Sequence, residues 1–83
     1  MKATHIVVIR EGWVFVGTRE LSDNGVTKLT DAACVRTWGT TQGLGELALS
    51  GPLKATVLDP CGTVEVPTPS VHFYIPVDQT KWR

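Results

Sequence analysis

The chain predicts a mainly β fold, with α+β at its margin: a strongly curved antiparallel sheet or small barrel of six to seven strands with one short helix. Three observations point there. Short runs of branched and aromatic residues recur along its 83 residues. Gly, Pro, Asn and Asp punctuate those runs at turn-like intervals. A single segment carries helical spacing.

His5 to Ile9 is branched and apolar, as strands are. Glu11-Gly12 interrupts it, and glycine supplies the positive φ of a tight hairpin. Trp13 to Val16 is a second strand. Both runs are apolar on both faces, whereas a half-buried strand alternates. One face packs on the core, and the other needs a cover. A second subunit is the expected cover; the helix or a rolled-up sheet is the alternative. Leu21 to Gly25 is rich in residues that tolerate left-handed geometry and is expected to turn. Val26 to Leu29 forms a third strand, Thr30-Asp31 a turn, and Ala33 to Trp38 a fourth strand.

Leu44, Leu47 and Ala48 stand at i, i+3, i+4 spacing, one face of a helix of about two turns. Thr40 or Thr41 is placed to cap its start, and Gly51-Pro52 to stop it. Ala55 to Leu58 is the next strand. Asp59-Pro60-Cys61-Gly62 has the residue order of a type I turn, which makes Thr63 to Val66 its hairpin partner. Pro67 and Pro69 end the ladder, and Val71 to Ile75 is a last strand, at an edge.

The bulk numbers bound the function. A chain of 83 residues makes one domain, residues 1–83. Such a chain buries only about 60% of the surface its unfolded form exposes, so support from outside the chain is worth having. Its net charge is zero and its basic residues are scattered. Nucleic-acid binding, which needs a concentrated positive surface, is therefore disfavoured. The apolar run at residues 6–9 is too short for a signal core or a membrane span. The two cysteines, Cys34 and Cys61, are expected as reduced thiols in a cytoplasmic protein.

The Gly-rich segment holds the candidate site: Trp38, Gly39, Thr40, Thr41, Gln42, Gly43, Gly45 and Glu46. Residues 43–48 fit G-x-G-x-x-A, the pattern of dinucleotide-binding turns. In such turns glycines let the backbone approach a phosphate at a helix N-terminus. The helix is too short for a dinucleotide fold, whose crossover takes about 10–12 residues or more. A looser reading keeps the segment as a site for a nucleotide-like ligand or a partner, with Trp38 as a stacking surface. The competing reading is a tight strand-to-helix turn with Trp38 in the core. His5, Cys34, Cys61 and His72 lack the close spacing of a zinc site, so no metal and no cofactor is expected. Ser22, Ser50 and Ser70 sit in no nucleophile motif, Asp59 belongs to its turn, and Glu46 serves the first helical turn. The reading is of a protein that is not an enzyme. Trp13, in an apolar hairpin, is expected in the core or at a subunit interface, and Phe15 at that interface. Trp82, a large aromatic in a polar tail, is expected to dock there too.

The stretches Val35 to Ala48, Gly51-Pro52 and Thr56 to Val64, with Gly12 to Gly17 before them, resemble a family of small phage and prophage proteins. The shared signature is Trp38-Gly39-Thr40-Thr41-x-Gly43-Leu44-Gly45-Glu46-Leu47, and the resemblance runs from residue 6 to about 66. It implies a phage-related origin and a bacterial cytoplasm, and it transfers no residue roles. Phage accessory proteins often act on host machinery. The leading expectation is thus a non-catalytic homo-oligomer that binds a host factor, antagonism of a bacterial defence system included. One alternative is an oligomeric sponge for a nucleotide-derived small molecule. Another is a structural or assembly component of the virion.

Overall fold

The order of elements is β1 (His5–Ile9), β2 (Val14–Glu20), β3 (Val26–Thr37), α1 (Leu44–Ser50), β4 (Val57–Pro67), a 3-10 turn (Thr68–Ser70) and β5 (Val71–Pro76). They are seen in a computed structural model that describes residues 1–20 and 24–83. All strand pairs are antiparallel, in the sheet order β4-β3-β2-β1-β5. The sheet is open, with β4 and β5 as its edges. Among the described residues it has five strands rather than six or seven, and it is not a closed barrel. The turn expected at Leu21 to Gly25 lies largely outside the described residues.

Two expected turns are kinks within long strands, which lowers the strand count. Between the pairs Leu29↔Val64 and Ala32↔Gly62, β3 spends three residues against two on β4. The same surplus appears against β2, between Thr18↔Thr30 and Val16↔Ala33. Asp31 sits in this bulge at φ 49°. One step on, Ala33 pairs with Pro60, and Cys61 is the surplus residue on β4, beside Gly62 at φ 73°. A left-handed residue can reverse a chain or bulge a strand. Here the two bulges face each other, and the ladder resumes beyond both, so β3 runs for 12 residues and β4 for 11. Pro60 is tolerated because it lies in an edge strand at a bulge. Gly17 stands beside the kink. A Cβ there would meet Ala32 and the Thr30 carbonyl at 3.1 Å.

The chain itself covers most of both faces of the β1–β2 hairpin, leaving Trp13 exposed and Phe15 half-buried. Ile6, Val14 and Val16 pack with Ala33 and Val35 under Leu44, Leu47 and Ala48 of α1. Val7 and Ile9, on the opposite face, pack with Leu29, Ala32, Val66 and Val71. Val7 is 0% exposed within the single chain. The second subunit expected as a cover is thus not needed for these residues. Thr27, buried in β3, bonds the Tyr74 hydroxyl of β5 at 2.7 Å and Thr68 at 3.0 Å. These two strands are separated in the sheet by β2 and β1, so the contact ties the sheet across its second face.

Trp82 locks the first face. It is 1% exposed, and its indole Nε1 donates to the carbonyls of Leu47 (3.2 Å) and Ala48 (3.3 Å). Those oxygens belong to the last turn of α1: that of Leu47 also accepts from the Gly51 N–H at 3.0 Å, and that of Ala48 has no intrahelical donor because Pro52 stands four residues on. Ala48 also accepts from the Asp78 N–H at 2.9 Å. The aromatic assigned to a subunit interface therefore docks on its own helix. Polar neighbours in sequence did not betray this, because its partners are supplied by residues more than thirty positions away. Trp82→Ala should cost about 3–5 kcal/mol, the usual range for emptying a large aromatic site. Urea unfolding followed by circular dichroism would check it; a loss under ~1 kcal/mol would contradict the lock.

Candidate functional site

The segment from Trp38 to Glu46 connects β3 to α1, and backbone constraints shape most of it. Gly39 has φ 70°, and a Cβ there would lie 2.4 Å from the backbone of Ala55 and Thr56. Thr56 holds this crossing from the other side: its hydroxyl donates to the Trp38 carbonyl at 2.7 Å and accepts from the Leu53 N–H at 2.9 Å. Gly43, at φ 86°, is the residue before the helix. The Trp38 ring lies 4.0 Å from where a Gly43 Cβ would stand.

The expected threonine cap does not form. No side chain caps α1. Thr40 instead donates from its hydroxyl to the Gly43 carbonyl at 2.9 Å. Glu46, in the first helical turn, reaches back: its Oε1 accepts from the backbone N–H of Gln42 (2.9 Å) and Thr41 (3.1 Å). This is half of a capping box, with the carboxylate serving loop donors. The N–H groups of Thr41 and Gln42 are thus held by the chain's own carboxylate, where a bound phosphate would need them free. Gly45 lies inside the helix with open space around its Cα.

Trp38 is 43% exposed, so it is not a core residue. It and the loop around it form one surface. A second surface lies at the hairpin. Trp13 is 60% exposed, and its ring stacks on Phe15 with centroids 6.4 Å apart and planes 16° from parallel. Phe15 is half-buried. These rings and Ile9 form one wall of a groove of about 310 Å³; residues 64–67 of β4 form the other. Glu65 is the charged residue in that lining. The β4 wall escapes sequence reading, because its approach to the hairpin depends on the bulged ladder. Cys34 and Cys61 are both free thiols. Burial pushes the Cys34 thiol up, and the neighbouring Cys61 and Asp59 add to this. Beside it, Arg36 and Asp59 form a two-pronged ion pair at 2.9 and 3.0 Å. Both side chains are largely exposed, so the pair adds little stability.

The glycines separate by role. Gly39→Ala should destabilise the fold by well over ~1 kcal/mol, from left-handed strain and backbone collision together. Gly45→Ala should stabilise it by about 0.5–1 kcal/mol, as at any open helical site. Thermal unfolding of the two variants would check this; a costly Gly45→Ala would show that the open space at Gly45 is used.

No helix among the described residues is long and apolar enough to cross a membrane. Compared with known proteins, the chain matches no family model, no curated protein and no solved structure.

Proposed function

We propose that this chain is a non-catalytic binding protein that self-associates through the Trp13–Phe15 groove and offers Trp38 with its loop to a host factor. The observation that carries the reading is the exposed Trp13. Large aromatics anchor interfaces, because they bury much area at little conformational cost. A Trp left in water beside an apolar groove has more to gain from burial than any other side chain at that surface. A second copy of this chain is the proposed occupant. In a two-fold pair each copy gives the same patch, so the Trp13 of one copy can fill the groove of the other. The resemblance to small phage and prophage proteins supports a setting in an infected bacterium, and with it a host protein as the further partner. That partner would meet Trp38, the other exposed tryptophan of the chain. The hold of Glu46 on the loop N–H groups favours a protein partner there over a nucleotide.

Native mass spectrometry of the purified protein tests the first half. The wild type should appear as a multimer, and Trp13→Ser should shift it to monomer. The variant should unfold at nearly the wild-type temperature, since an exposed residue contributes little to the fold. A monomeric wild type would overturn self-association. For the second half, Trp38→Ala should leave the multimer intact and abolish capture of the host factor from infected cells.

A further inference from the structure

Three strands place His5, Arg19 and Tyr74 on one surface. His5 pairs with Gly17 and Pro76, and Tyr74 pairs with Val7, all on the side of the sheet that carries Val7. The Tyr74 ring meets His5 edge-on, with centroids 6.3 Å apart. Arg19, in β2, reaches across β1 and sets its guanidinium carbon 4.0 Å from the Tyr74 ring centre. The tyrosine hydroxyl is engaged by Thr27 at 2.7 Å, which fixes the ring under the guanidinium. Thr4 fixes the imidazole. Its hydroxyl oxygen lies 2.9 Å from His5 Nδ1 and accepts from the backbone N–H of Arg19 at 2.9 Å.

The charge of this cluster is unbalanced. The ion pairs among the described residues are Lys28–Glu20 and Arg36–Asp59, and neither includes Arg19. No bond from the guanidinium to another described side chain or carbonyl forms, and Arg19 is half-buried. A guanidinium over an aromatic ring keeps its fork of N–H groups in a fixed plane, the arrangement that binds oxyanions two-pronged. With Nδ1 turned to Thr4, His5 has Nε2 left for a ligand. A proton on it would add a second positive charge close to the first.

We propose that Arg19 and His5, positioned by Tyr74 and Thr4, form a binding site for a phosphate group. A guanidinium with an imidazole that can take up a proton beside the same ring suits a dianion better than a carboxylate. The site is separate from the groove and from the Gly-rich loop, and it does not depend on the function proposed above.

Burial and the Arg19 charge hold the His5 imidazole below its ordinary value of 6.5. A bound dianion reverses the second of these causes, so His5 should take up a proton on binding. The experiment is a proton NMR titration of both histidines with inorganic phosphate, chloride balancing the ionic strength. The expected result is a saturable upward shift of the His5 pKa, with the His72 resonances unmoved. Arg19→Gln should weaken binding roughly tenfold or more, the loss of a charged hydrogen-bond partner. Arg19→Lys should restore part of it, and both variants should keep the wild-type spectrum elsewhere. A His5 shift that fails to saturate, or that survives Arg19→Gln, would overturn the site. Adenosine monophosphate then distinguishes the sources. Tighter binding than phosphate means a nucleotide, and equal or weaker binding means the phosphate ion itself.

Discussion

The seat of Trp82 on the last turn of α1 is the contact on which the rest of the first face depends. A helix of seven residues is too short to hold itself together in water. It persists because Leu44, Leu47 and Ala48 pack on the sheet and because the C-terminal segment straps it from outside. The indole ring fills the space between helix and sheet, and its N–H takes two helix carbonyls. Gly51 permits the close approach: a Cβ there would stand 2.6 Å from the Lys81 carbonyl. The loop from Trp38 to Gly43 inherits its position from the helix it leads into, so the geometry of that surface also rests on the tail.

The second face is held by a different device. Facing bulges in β3 and β4 redirect both strands together, and the distal half of β4 brings Val66 against Val7 and Ile9. The hydroxyl link from Thr27 to Tyr74 and Thr68 closes this side, and no buried side-chain N or O among the described residues is left without a partner. The two cores therefore lie on opposite faces of one sheet. A chain of this length can cover both only because one face uses the helix and the other uses its own strands.

What the fold leaves outside is informative for that reason. The apolar side chains that the core can absorb are absorbed, including Trp82. Trp13, Trp38, Leu49 and Leu53 remain exposed. Leu49 points away from the sheet on the outer side of α1, at 68% exposure. The proposed self-association and partner surfaces are drawn from this residue set, and the proposed phosphate site from Arg19, a cation that pairs with no carboxylate among the described residues.

Much of the local structure was legible in the sequence. The runs 5–9 and 71–75, the helical face of Leu44, Leu47 and Ala48 and its stop at Gly51 follow from branching, spacing and glycine, which act over a few residues. Other features needed the tertiary structure. Asp31 and Gly62 take left-handed backbone in either a turn or a bulge; only the pairing of β3 with β4 selects the bulge. Trp13 and Trp82 were both expected to be covered, yet Trp13 is exposed and Trp82 docks on its own chain rather than on a second subunit. The apolar hairpin left its tryptophan in water, and the polar tail sent its own into the core. Arg19 meets Tyr74 across 55 positions of sequence that no local pattern spans. The sequence by itself determined a β-rich chain with one short helix and glycines where the backbone must turn or pass close. The tertiary structure alone decided which side chains are buried and which charges converge, because burial and charge depend on neighbours distant in the chain.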